Sequence, residues 1–274
     1  MDTDMLIKEF ERMGARVKLN EPPRNRWQFR QPVPFTIDIN QDRKGEFFSL
    51  TANPSMLDDC RVTDLRPKEH HLLLQVDYRS SEEGRQKFLC GHDERHWFVA
   101  GVPESARASN VKTAMEALKP TEVKWSEARV GLKAKDGRRR KNRAFVRQGE
   151  WFFVPRPNVN PDPKLVIRHE PLSRGAGSKP HMVDEVVRTG GERVYVSHRH
   201  PAGLTEDEHA RWVARNPQDA KIVRFNIMVR NAGVFARGKV RHPDHKTIVL
   251  NGWHEVVMNT ENQSLAMQHV VFLD

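Results

Sequence analysis

The sequence predicts a mixed α+β chain, an N-terminal α+β module followed by a mainly antiparallel β domain, barrel or jelly-roll-like, with one short inserted helix. Three observations predict it. Short runs rich in β-branched and aromatic residues recur along the chain, helical spacing is confined to three brief segments, and proline and glycine punctuate the rest. A length of 274 residues accommodates two ordinary domains.

Residues 1–120 read as the first module. Leu6, Ile7, Phe10 and Met13 recur at helical intervals, and Gly14 stands where a helix commonly ends. Pro22, Pro23, Pro32 and Pro34 make an irregular connector, after which Phe35, Ile37 and Ile39 alternate with polar residues as a half-buried strand does. Further strands are expected at Glu46–Leu50, His71–Tyr78, Lys87–Cys90 and His96–Val102, with Gly91 to Arg95 as a hairpin loop. Ser109 is placed to cap a helix through Val111, Ala114, Met115 and Leu118, which Pro120 stops.

Residues 121–147 read as a basic connector with its turn at Asp136-Gly137. Residues 148–274 read as the β-rich domain. The segment Ala144–Pro155 leads in, and strands are expected at Arg193–Ser197, Ile222–Val229, Val234–Val240, Thr247–Leu250, Glu255–Met258 and His269–Leu273. Thr205 with Glu208 has the spacing of a capping box, opening the inserted helix through Trp212, Val213 and Ala214.

Composition excludes several classes. Apolar residues make up 37% and charged residues 30%, enough for a packed core. No run approaches the roughly 18 apolar residues of a membrane span, and acids interrupt the N-terminal segment, so neither an anchor nor a signal peptide is expected. Cys60 and Cys90 have no CxxC spacing, which argues against a disulfide framework, a thiolate zinc site or an iron–sulfur cluster. A reducing, cytoplasmic setting fits. GxSxG, dinucleotide and P-loop signatures are missing.

The formal charge of +10 is unevenly distributed. Residues 1–120 carry 19 basic and 19 acidic side chains, whereas residues 121–150 carry 10 and 4. Lys133, Lys135, Arg138, Arg139, Arg140, Lys141, Arg143 and Arg147 could track a nucleic-acid backbone, with Trp125 and Trp151 flanking them; a solvated linker is the plainer reading.

Arg174-Gly175-Ala176-Gly177-Ser178-Lys179-Pro180-His181 pairs two glycines with Arg174 and Lys179, a loop suited to holding an anion, although such loops are often mere connectors. Histidines crowd the second half in His198-Arg199-His200, His242-Pro243-Asp244-His245 and Trp253-His254-Glu255. Two readings follow. His181, His242 and His245 could divide general acid and base work at a phosphodiester, steadied by Arg174 and Lys179. Alternatively some of His198, His200, His242, His245 and His254 could hold a divalent transition metal. His92-Asp93-Glu94-Arg95-His96 lacks the order and the helix of HExxH and reads as a solvated turn, and Glu69-His70-His71 as an exposed strand edge.

Arg147-Gln148-Gly149-Glu150 leading into Trp151-Phe152-Phe153, the segment ending at His181, His242-Pro243-Asp244-His245 before Ile248-Val249-Leu250, and Trp253-His254-Glu255-Val256-Val257 form a recurring order. In these motifs residues 144–260 resemble an uncharacterised bacterial β-domain family whose domains open on an Arg-Gln-Gly-acid turn and carry two later histidine motifs. This chain departs from the pattern at Lys179-Pro180 and in the helix after His200. The resemblance implies a β-rich second domain with shared histidines and implies no activity.

The leading expectation is a nucleic-acid-associated protein, RNA ahead of DNA or another polyanion, that processes what it binds through histidine acid–base chemistry. The alternatives are a metal-dependent enzyme of barrel or jelly-roll fold acting on a small molecule, and a non-catalytic interaction module. No membrane partner is expected.

Overall fold

Leu6, Phe10 and Met13 share one face of the first helix, α1 (Thr3–Met13), and all three are buried. Gly14 ends it at φ 94°, a conformation open to glycine. This helix belongs to a computed structural model that describes residues 3–22, 35–78, 84–174 and 178–271. The prolines Pro23, Pro32 and Pro34 lie outside them.

The chain continues through β1 (Val17–Asn20), β2 (Phe35–Asp42), β3 (Gly45–Ala52), the short α2 (Pro54–Leu57), β4 (Cys60–Arg66), β5 (His71–Tyr78), β6 (Gly84–Asp93) and β7 (His96–Val102). Strands β4 to β7 form a meander, and α1 packs with it and with β2 and β3 around Phe10, Phe35, Ile37, Phe48, Leu72, Leu74 and Phe88. Strand β5 is buried on both faces. Its Leu72, Leu74 and Val76 enter this core, while Leu73 turns to a second core under α3 (Val111–Ala117), with Val111, Ala114 and Leu118. Asn110 rather than Ser109 caps α3, in a reciprocal bond pair with Thr113. Cys60 and Cys90 are both buried and free.

Residues 121–147 are folded rather than a linker. They open with α4 (Thr121–Arg129), whose Val123 packs with Ala144, Phe145, Phe152 and Val154. Next come β8 (Val146–Gln148), β9 (Trp151–Pro155), β10 (Ile167–Leu172), β11 (His181–Thr189), β12 (Glu192–Ser197), β13 (His200–Leu204), α5 (Glu206–Arg215), β14 (Asn226–Arg230), β15 (Gly233–Arg241), β16 (Ile248–Met258) and β17 (Val270–Val271). The capping box of Thr205 and Glu208 opens α5.

A six-stranded sheet runs in the order β10-β11-β15-β16-β9-β8, and a three-stranded one in the order β13-β12-β14. The larger sheet is rolled. Gln148 on edge strand β8 donates to the carbonyls of Val240 at 3.3 Å and Lys246 at 2.8 Å, although β9 and β16 lie between them in strand order. In a flat sheet three inter-strand spacings of about 4.8 Å would part them. The roll encloses Phe153, Val183, Val186, Ala236, Val240 and Leu250. Its two edge strands, β10 and β8, do not pair, so among the described residues the barrel form of the expected barrel or jelly-roll-like domain is absent, and the class is α+β with mainly antiparallel strand pairing.

Two expected strands, Thr247–Leu250 and Glu255–Met258, are one continuous β16, which passes through Gly252 at φ 84°. The chain end leaves the rolled sheet altogether. Thr260 N donates to Leu118 O at 3.1 Å, Ser264 Oγ to Val102 O at 3.0 Å, Ala266 is buried in the N-terminal core, and β17 pairs in parallel with β2.

Candidate metal centre

The turn between β8 and β9 begins the site. Gly149 has φ 58°, and a Cβ there would stand 2.9 Å from His245 Nε2 and 3.3 Å from His181 Cε1, so glycine permits both the turn and the approach of two imidazoles. On one side of it, Gln148 is held by its bonds to Val240 O and Lys246 O. Those donations use its amide nitrogen, which leaves Oε1 to accept from His181 Nδ1 at 2.9 Å. With Nδ1 donating to Gln148, Nε2 is the His181 nitrogen left to act as a ligand, the arrangement found at metal-bound histidines. On the other side, Glu150 Oε2 lies 3.7 Å from His181 Nε2. Burial acts to raise the Glu150 pKa, but the approach of His181, a backbone bond and the charge of Arg174 outweigh it and bring it down to about 2.

His181 begins β11, and His242 and His245 lie in the loop joining β15 to β16. Met182 pairs with Arg241 across the sheet, which sets the first histidine beside that loop. The rings of His181 and His242 stack with centroids 4.2 Å apart; those of His242 and His245 are 4.8 Å apart. One nitrogen from each histidine falls within 4.8 Å of the others, an arrangement able to hold a metal ion. Nitrogens of a tetrahedral zinc shell stand about 3.4 Å apart, so an ion held here would require the rings to approach one another. His242 Nδ1 accepts from Asp244 N and Nε2 donates to Lys179 O, both at 3.2 Å, and a metal held by this ring would take the place of one of these long contacts. His245 Nδ1 is buried with no hydrogen-bond partner, 3.8 Å from Glu94 Oε2. Burial lowers its pKa to about 4 and, with the neighbouring histidines, lowers that of His242, so both rings are neutral donors near pH 7.

The β6–β7 hairpin supports this cluster from the N-terminal side. Asp93 receives Arg140 and, at 3.1 Å, Arg147; Glu94 receives Arg140 and accepts from Lys246 N at 2.7 Å. His96 Nδ1 meets Glu46 Oε1 at 2.6 Å, while its Nε2 lies 3.8 Å from Asp244. The segment expected as a solvated turn is thus a wall of the site, because the rolled sheet packs over it. Between the two halves lies a cavity of about 580 Å³, within the range of small-molecule sites. His71, expected on an exposed edge, also lines it, and burial lowers its pKa.

The structure brings His181, His242 and His245 together and leaves His198, His200 and His254 elsewhere. His198 is in the turn after β12, and His200 packs on Trp212 and Phe225 with centroids 5.5 and 6.1 Å away. His254 is buried in β16 with Nδ1 bonded to Gly252 O at 2.9 Å. Gly175, Ala176 and Gly177 of the expected anion-holding loop lie outside the described residues. Its two cations reach the cavity already paired, Arg174 with buried Glu261 at 2.8 Å and Lys179 with Asp244 at 3.1 Å. Of the central basic residues, Lys133, Lys135, Arg138, Arg139, Lys141 and Arg143 are exposed, whereas Arg140 and Arg147 turn inward to Asp93. Sequence reasoning missed Gln148, Glu150, Asp93, Glu94 and Glu261; the only signal for the first two was the Arg-Gln-Gly-acid turn. Comparison with family models, curated proteins and solved structures finds no match for this chain, so its reading rests on its own geometry.

Proposed function

We propose that the protein is a metal-dependent hydrolase acting on a small molecule, with His181, His242 and His245 as ligands of a divalent transition metal. The observation that carries this is the convergence of three histidines with Gln148 orienting one ring and an unsatisfied buried nitrogen on another. Imidazole donors suit zinc, nickel, iron or copper. A bound ion would supply Lewis acidity and favour ionisation of water. Glu150, whose Oε2 lies 3.7 Å from His181 Nε2, is placed to accept a proton from water in the site, and the enclosing cleft limits entry of bulk solvent.

The test is elemental analysis of untagged protein after equilibration with zinc, with cobalt(II) absorption as the geometric readout. One metal per chain is expected, lost in His181→Ala, His242→Ala and His245→Ala. A wild-type protein that takes up no stoichiometric zinc, cobalt, nickel, copper or iron(II) would overturn the proposal.

A second reading, association with nucleic acid, RNA first, draws on six exposed cations between Lys133 and Arg143. It expects affinity for a single-stranded RNA to fall steeply with salt, and charge reversal at Arg138, Arg139 and Lys141 to flatten the slope of log affinity against log salt by about two. An unchanged slope would end it.

A further inference from the structure

We infer that the cleft takes a ligand bearing one positive charge on an apolar body, a primary amine by chemical class, and that Asp38 receives the charged group. The inference rests on the proposed enzyme insofar as this cleft is its substrate site.

Asp38 lies in β2 between Ile37 and Ile39, which pack into the N-terminal core. Alternation along the strand turns Asp38 to the opposite face, where it lines the cavity. It is only 9% exposed. Its Oδ1 accepts from Ile39 N at 2.7 Å, and among the described residues no basic side chain pairs with it. A buried carboxyl with so little compensation is costly, and burial raises its pKa accordingly. A ligand cation is what would relieve it.

The charge of the cleft points the same way. Six carboxyl groups line it, those of Asp38, Glu46, Asp93, Glu150, Asp244 and Glu261, against three basic side chains, Arg147, Arg174 and Lys179. Each basic residue is committed to a different acid, Asp93, Glu261 or Asp244 respectively. Of the other three, Glu46 meets His96 Nδ1 at 2.6 Å and Glu150 lies 3.7 Å from His181 Nε2, so among the described residues Asp38 is the lining carboxyl with no basic side chain beside it. One cationic group on a ligand is the complement of that single unmatched carboxyl. The remaining lining includes Leu89, Val99, Ala100, Met115, Leu118 and Phe152, a surface for an apolar body. An anionic substrate would meet an acidic wall with its cations already paired.

The test compares 2-phenylethylamine, 2-phenylethanol and 3-phenylpropionate by calorimetric titration of the full chain, with and without zinc. The amine is expected to bind about tenfold or more tightly than either analogue, the margin of one charge-assisted hydrogen bond. Asp38→Asn should bring the amine close to the alcohol while leaving alcohol affinity and zinc stoichiometry unchanged. Alcohol or propionate binding as tightly as the amine in the wild type would overturn the inference, whatever the variant does. So would an unchanged amine affinity in Asp38→Asn. Amine preference in a protein that binds no zinc would uphold the amine site and remove the metal centre, so the two failures are separable.

Discussion

Gln148 accepts a hydrogen bond from His181 at 2.9 Å across 33 residues of sequence, and both side chains are buried. The bond fixes which imidazole nitrogen faces the cluster. Gln148→Leu should keep the fold yet weaken zinc binding by about 10–100-fold, as loss of an orienting partner does at metal-bound histidines. Competition against a chelator of known affinity measures it; an unchanged affinity would show that His181 needs no orientation.

Gly149→Ala tests the crowding of the turn. Gly190, at φ 70° with open space around it, isolates the backbone cost, and its alanine variant should lose about 1 kcal/mol. Alanine at Gly149 adds a collision with His245 Nε2, so a loss of about 2–4 kcal/mol in urea unfolding is expected, together with weaker zinc binding. Equal losses at the two positions would refute the close approach.

Ala266 is wholly buried in the N-terminal core although it lies near the far end of the chain. Ala266→Asp should therefore destabilise the N-terminal strands, by about 3 kcal/mol or more, through a buried unpaired charge. Hydrogen exchange at β2 and β5 reads this directly, and protection left intact there would contradict the docking of residues 260–271.

Arg16 and Lys18 hold the Asp42 carboxyl well below the usual carboxylate range through hydrogen bonds at 2.5–3.0 Å. Because the folded value lies below the unfolded one, the stabilisation is complete above the unfolded pKa of about 3.9 and fades as the pH falls through the folded value. Wild type should exceed Asp42→Asn in melting temperature near neutrality, and the gap should shrink steadily below about pH 4. A gap that widened in acid would reverse the sign of the linkage.

Local patterns were readable where one face of an element is buried and the spacing is regular. The stripe of Leu6, Phe10 and Met13, the alternation of Phe35, Ile37 and Ile39, and the Thr205–Glu208 capping box each match an observed element. Regularity fails elsewhere for visible reasons. In β11 the register shifts between Val183 and Glu185, which breaks the period of two, and α4 buries only Val123 and Ser126, too little for an apolar stripe. The hairpin Asp93-Glu94 looked solvated because acidic residues in a turn usually are; here the rolled sheet and the guanidinium groups of Arg140 and Arg147 cover it.

By itself the sequence determined the α+β class, most N-terminal strands, the inserted helix, the charge excess near residues 121–150 and the candidacy of His181, His242 and His245. These are properties of composition and of neighbours a few residues apart. Tertiary structure alone decided that the three histidines share one cluster while His198, His200 and His254 do not, that Arg174 and Lys179 are matched by acids, and that the chain end joins the first sheet. The reason is physical: each of these depends on which residues a rolled sheet brings within a few ångströms across separations of 33 to more than 200 residues, and local spacing carries no record of that.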